Sequence, residues 1–191
     1  TQILWGIRDF ESRFKRKPEG MWLAETAVDY ETLELLAEHN IKFTILAPRQ
    51  AKATRIVGGE WKQVNDQTAD THKTYQCNLP SGRQIALFFY DGNISQSVAF
   101  NGLLNDGKRF ADDLLKSFNE KDSGPQLVHV ATDGETYGHH HKHGEMALAF
   151  CLDQIDKDKR VSLTNYAQYL TLFPIVDEAE IIEDSSWSCV H

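Results

Sequence analysis

The feature that most constrains this chain is the run Phe43-Thr44-Ile45-Leu46-Ala47, which is almost wholly apolar and lacks polar alternation. A strand with one solvated face alternates apolar and polar side chains, whereas a strand covered on both faces reads as a continuous apolar run. Residues 85–90 repeat the pattern, and residues 21–23 and 126–131 carry shorter or weaker versions of it. Helical patterns fill the intervals. Ile3, Leu4, Ile7, Phe10 and Phe14 recur at helical spacing at the start of the chain. Asp29 is placed to cap a helix that carries Leu33, Leu36 and Ala37 on one face, with His39-Asn40 in its last turn. Further helical stretches are expected over residues 94–118, 145–155 and 163–172, the last stopped by Pro174. Residues 55–82 are polar, with turns at Gly58-Gly59 and Pro80-Ser81-Gly82, and read as an insertion or small hairpin. Strand and helix in alternation predict an α/β fold with parallel strands, first as a β/α barrel and second as a doubly wound sheet.

Charge and cysteine content narrow the partners. The net charge of −8 leaves no surplus of Lys and Arg for binding phosphate, so neither nucleic acid nor an anionic membrane is an expected partner. The basic run from Arg13 to Lys17 reads as a solvated helix end. No apolar stretch approaches the ~20 residues of a membrane span, and no signal peptide is legible. Cys77, Cys151 and Cys189 are odd in number and lack Cys-x-x-Cys spacing, which suits reduced thiols in a cytoplasmic protein.

Acidic residues follow the expected strands. Glu25 comes after residues 21–24, Asp91 after 85–90, and Asp133 and Glu135 after 127–132. In parallel β/α folds the C-terminal strand ends converge, and active sites are built there. Carboxylates meeting at such an edge suit cleavage of a glycosidic bond: one protonates the leaving oxygen while the other attacks or activates water. Taken singly, each could instead cap a helix. The segment Asp133-Gly134-Glu135-Thr136-Tyr137-Gly138-His139-His140-His141-Lys142-His143 is the second cluster. On a helix, His139 and His143 would share one face, so metal ligation, polar substrate contacts and a solvated helix start all stay open. Trp22, Tyr30, Tyr137 and Trp187 each lie beside one of these polar motifs, where aromatic rings could stack on sugar faces or pack a core.

Together these motifs resemble glycoside hydrolase family 57, the family of α-amylases, 4-α-glucanotransferases and glycogen-branching enzymes. Gly20-Met21-Trp22-Leu23-Ala24-Glu25-Thr26-Ala27 is similar to the family's Trp-Leu-x-Glu segment, with Glu25 on the nucleophile. Thr132-Asp133-Gly134-Glu135-Thr136-Tyr137-Gly138-His139 resembles the segment whose first Asp is the general acid/base, here Asp133. Phe88-Phe89-Tyr90-Asp91, continuing to Ser95 and Phe100, resembles a Phe-Arg-Asp…Ser-Asp…Phe stretch, with Tyr90 in place of Arg and Gln96 in place of the second Asp. Ser185-Ser186-Trp187-Ser188-Cys189-Val190-His191 is similar to the last motif of a less-studied branch.

The resemblance implies part of an incomplete (β/α)7 barrel, an α-glucan or oligosaccharide substrate and retaining chemistry without a cofactor or metal. It implies Glu25 and Asp133 as catalytic, at carboxyl separations of roughly 5–5.5 Å. Trp22, Asp91, Glu135, Tyr137, His139 and Trp187 are implied as substrate-binding. The family's first motifs, including a His-Gln-Pro strand, have no counterpart here. The chain is therefore expected to be one central catalytic-barrel segment, whose N-terminal strand and C-terminal continuation lie elsewhere. A metal-dependent polysaccharide deacetylase and a catalytically silent carbohydrate-binding barrel are the alternative readings.

Overall fold

A computed structural model describes residues 1–188; Cys189, Val190 and His191, the end of the last motif, lie outside the described residues. The described residues fold as two units, Thr1–Phe89 together with residues 166–188, and Tyr90–Asn165.

The first unit is built on one open sheet. Its strands are β1 (Phe43–Leu46), β2 (Ala51–Ile56), β3 (Lys62–Gln63), β4 (Thr74–Asn78), β5 (Gln84–Phe89) and β6 (Asp177–Ile181), ordered β1-β5-β4-β6-β2-β3. The two expected strands β1 and β5 pair in parallel, as anticipated; β4–β6 is also parallel, while β4–β5, β2–β6 and β2–β3 are antiparallel, so the sheet is mixed. Helix α1 (Gln2–Phe14) and helix α2 (Tyr30–Glu38) precede the sheet. Asp29 caps α2, accepting from Thr32 N at 2.6 Å.

The unbroken apolar character of β5 has the cause anticipated from sequence. Ile85, Leu87 and Phe89 join a core with Leu33, Leu36, Leu46, Tyr75 and Ile181. Phe88 meets Tyr166 at a ring-centroid distance of 4.8 Å and Phe43 at 5.6 Å. Tyr166 begins the helix Tyr166–Leu172, which starts three residues later than the spacing suggests.

Two strands depart from the sequence expectation. Residues 55–82 hold the end of β2, all of β3 and β4, and β4 lies inside the sheet rather than in a peripheral hairpin. Its Tyr75 and Cys77 are buried in the core, alternating with polar neighbours. β6, Asp-Glu-Ala-Glu-Ile, carries no strand signal in its sequence, acids being depleted in strands. Its buried acids are nonetheless satisfied. Glu178 accepts from Asn78 Nδ2 at 2.7 Å and from Arg55 Nε, while Asp177 faces Lys73 Nζ at 3.5 Å. These donors hold the Glu178 carboxyl below the usual carboxylate range, through Asn78 first and Arg55 second. The Arg55 guanidinium also stacks on the Trp61 ring at 4.4 Å.

In the second unit, three helices enclose a separate core. Numbered after α1 and α2, they are α3 (Gly92–Ala99), α4 (Gly107–Ser117) and α5 (Gly144–Lys157). Ile94, Val98, Leu103, Phe110, Ala147, Cys151 and Ile155 form that core. Gly107 opens α4 against α5 so closely that a Cβ would sit 2.8 Å from the Ala147 carbonyl oxygen.

Two other expected strands are not formed. Residues 21–23 contribute only the flank of a bridge between Gly20 and Phe43. Residues 126–131 run without regular structure, His129 O accepting from Asp91 N and Ala131 N donating to Ser95 Oγ. An apolar run alone does not make a strand; it needs a ladder partner for its backbone groups.

Candidate functional site

Glu25 stands on a turn whose leading residues are attached to the sheet. Gly20 bridges Phe43, Met21 N donates to Phe43 O at 3.1 Å, and Thr44 Oγ1 donates to Met21 O at 2.8 Å. The chain then enters a single 3-10 turn, Ala24–Thr26. Glu25 (φ 57°) and Thr26 (φ 51°) both take the left-handed backbone conformation. Such conformations cost on the order of 1–3 kcal/mol each in non-glycine residues, and a β-branched Thr there is a true outlier. The turn is held from the C-terminal segment. Trp187 N donates to Glu25 O at 3.0 Å, and Val28 N donates to Ser185 O at 3.0 Å.

The same segment binds the carboxylate. Trp187 Nε1 donates to Glu25 Oε2 at 2.9 Å, and Ser188 Oγ donates to that same oxygen at 2.7 Å. These bonds, Ser188 first, hold the Glu25 carboxyl below the usual range against a small opposing effect of burial. Arg49 anchors the segment by donating to the carbonyls of Ser186, at 3.1 Å, and Trp187. The Trp22 and Trp187 rings meet edge to face at 5.1 Å. Three sequence-predicted site residues, Glu25, Trp22 and Trp187, thus converge within the first unit. Ser188 completes that cluster, a residue present in the quoted motif whose role was not assigned from sequence.

The second unit carries the other predicted residues. Asp133 opens a 3-10 turn, Gly134–Thr136, and accepts through its carbonyl from Thr136 N at 3.1 Å. Asp133, Glu135 and His139 are exposed, whereas Thr136 is buried beneath the turn. Glu135 O accepts from both His139 N and His140 N, folding the histidine run back over the turn. Thr132 Oγ1 donates to the Tyr137 hydroxyl at 3.2 Å, and the ring of Tyr137 packs on the helical core.

Asp91 serves as a helix cap. One oxygen accepts from Ile94 N at 2.9 Å and the other from Ser117 Oγ at 2.9 Å, so its carboxylate joins the start of α3 to the end of α4.

The shared helical face proposed for His139 and His143 does not exist. Helix α5 begins only at Gly144, and His143 precedes it at a left-handed φ of 66°. His141, not singled out from sequence, donates from Nε2 to Ala99 O at 2.8 Å and ties the turn to α3. Among the described residues, no group of three or more His, Cys, Asp or Glu side chains is placed to hold a metal ion. No helix among them is long and apolar enough to cross a membrane.

Comparison with known proteins adds independent findings. The sequence model of glycosyl hydrolase family 57 matches residues 1–182. No curated protein matches the chain. Among solved structures, an α-amylase from Thermotoga maritima superposes with TM-score 0.74 at 17% identity, covering 98% of this chain and 47% of that one. A branching enzyme from Thermococcus kodakaraensis gives 0.71 at 17% identity, over 97% of this chain and 45% of its own. A 4-α-glucanotransferase from Thermococcus litoralis gives 0.65 at 19% identity, over 91% and 26%. The chain therefore spans less than half the length of each of these structures.

Proposed function

Because the chain belongs to glycosyl hydrolase family 57, we propose that it acts on α-glucans by a retaining mechanism, with Glu25 as nucleophile and Asp133 as acid/base. The observation that carries this reading is the Glu25 carboxylate itself. It is exposed, its pKa is depressed, and both side-chain donors occupy a single oxygen, Oε2. A nucleophilic carboxylate must be ionised and must present a lone pair to the anomeric carbon. Those requirements assign the attack to Oε1, with Trp187 and Ser188 bearing the charge on Oε2.

In the first half-reaction Glu25 Oε1 bonds to the anomeric carbon while the Asp133 carboxyl gives its proton to the departing glycosidic oxygen. In the second, Asp133 takes a proton from water or from a sugar hydroxyl, whose oxygen displaces Glu25. Water gives hydrolysis and a sugar gives transfer. The paired Trp22 and Trp187 rings offer an apolar face for the substrate, and the exposed Glu135 and His139 beside Asp133 supply polar contacts to sugar hydroxyls. Tyr137 holds the turn through Thr132. Asp91 contributes by fixing α3 and α4. No cofactor enters these steps. The buried thiols of Cys77 and Cys151 suit the cytoplasmic location expected from cysteine usage.

A screen of the intact enzyme on α-glucans tests the proposal, with Glu25→Gln and Asp133→Asn as comparisons. Each substitution is expected to lower kcat by about 10³-fold or more, because removing a nucleophile or a proton donor removes a step rather than a contact. Activity that survives both substitutions would overturn the assignment.

A further inference from the structure

We propose that Gln50 is the positioning residue for Glu25, an inference that rests on the nucleophile assigned above. Gln50 ends the turn Pro48–Gln50 between β1 and β2, and it is fully buried. Its main chain is committed on both sides: Gln50 N donates to Ala47 O at 2.9 Å, and Gln50 O accepts from Ile182 N at 2.8 Å. Its side-chain amide is committed as well. Oε1 accepts from Ala47 N at 2.9 Å and from Thr26 Oγ1 at 2.8 Å. Nε2 donates to Thr26 O at 2.9 Å and to Ser185 Oγ at 3.1 Å. A primary amide has two donor hydrogens and two acceptor sites on its oxygen, and here all four are engaged.

The partners say what this amide controls. Thr26 is gripped at both its hydroxyl and its carbonyl, and it is the residue held at φ 51° directly after Glu25. An unfavourable backbone conformation persists only where its surroundings over-determine it, and these two bonds supply that constraint. Ser185 accepts from Gln50 and donates its own hydroxyl hydrogen bond to Ile182 O. Ser185 opens the segment whose Trp187 and Ser188 donate to the carboxylate. One buried side chain therefore sets both the turn that bears Glu25 and the segment that binds it, from a mounting between two strands. Gln50 touches neither the Glu25 carboxylate nor any atom that reacts. Its effect passes through Thr26 and Ser185.

The test uses the intact enzyme on a soluble α-glucan, with Gln50→Met (similar length, no amide) and Ser185→Ala (which removes the hydroxyl that accepts from the Gln50 amide and donates to Ile182 O, at a half-buried position). Misplacing a reacting group by about 1 Å can cost 10²-fold in rate, so Gln50→Met is expected to lower kcat by about 10²-fold while KM changes little. The acid limb of kcat/KM should move to higher pH as Glu25 loses alignment with Trp187 and Ser188. Ser185→Ala should move kcat and the limb in the same directions, less far. A kcat within twofold of the wild type with an unmoved limb overturns the proposal. So does a loss expressed in KM with an unmoved limb, which marks a purely structural role. Should Gln50→Met fail to fold, as judged by circular dichroism, Ser185→Ala decides by the same criteria. Glu25→Gln is run in parallel: full activity there removes the nucleophile assignment and this inference with it, whereas its loss beside an indifferent Gln50 removes only this inference.

Discussion

Gly20→Ala is expected to destabilise the protein through a single identifiable clash. A Cβ at Gly20 would lie 2.2, 2.3 and 2.7 Å from Cε2, Cζ and Cδ2 of Phe43, where carbon atoms prefer about 3.5–4.0 Å. The ring must therefore move by more than about 1 Å. It is boxed by Phe88 and Tyr166, each with its ring centroid 5.6 Å away, so the displacement propagates into β5 and the helix that covers it. Overpacking of this kind costs about 1–3 kcal/mol. At roughly 2–4 °C per kcal/mol for a protein of this size, the melting temperature should fall by about 2–12 °C. The decisive control is Phe43→Val, which removes the three clashing ring atoms and places a good strand former in β1. In that background Gly20→Ala should cost less than about 0.5 kcal/mol, because the ring it would strike is gone; the difference between the two backgrounds is the coupling energy of the clash. Thermal or urea unfolding followed by circular dichroism measures all four corners of the cycle. An equal loss in both backgrounds would refute the reasoning.

Other consequences can be checked singly. Ser188→Ala should shift the acid limb of kcat/KM upward, since Glu25 then loses the larger of the two bonds that depress its pKa; a pH–rate profile reads this directly. Arg55→Ala should cost about 1–2 kcal/mol by removing a charged hydrogen bond from buried Glu178. Because the folded-state pKa of Glu178 is depressed, that stabilisation is present above the ordinary Glu range and lost as pH falls through the folded value. Wild-type and variant melting curves should therefore converge in acid. Burial pushes the Cys77 and Cys151 thiols up to about 12 and about 11, so peptide mapping after iodoacetamide should find both unlabelled in the native state and labelled in urea. Asp91→Ala should cost about 1 kcal/mol as α3 loses its cap, whereas Asp91→Asn, an equally good cap, should cost less.

Elements that bury apolar side chains on a regular spacing were legible in the sequence. β1, β5 and α2 appear where periodicity and capping place them, because the same burial that stabilises them writes the pattern. β4 and β6 were hidden because their polar residues are satisfied by partners far along the chain. Glu178 meets Asn78 across 100 positions and Arg55 across 123. No local window shows that a buried acid has its donors. The site divides in the same way. Glu25, Trp22 and Trp187 could be named from their motifs, and they do converge. The importance of Gln50 could not be read, since it depends on Thr26 and on Ser185, 24 and 135 positions away. The histidine run misled for the opposite reason. Its spacing matches a helical face, but Gly138 at φ 128° and His143 at φ 66° keep it in turns until α5 begins.

If Glu25 attacks the anomeric carbon, a covalent glycosyl-enzyme forms on its carboxylate and can be trapped. The intact enzyme would be incubated with an activated fluoro-glucosyl substrate that forms the glycosyl-enzyme quickly and releases it slowly, then digested and mapped by mass spectrometry. One added glycosyl group is expected, on the peptide that contains Glu25, and none after Glu25→Gln. A glycosyl group attached to any other residue, or turnover of α-glucans by an enzyme that never acquires one, would contradict it.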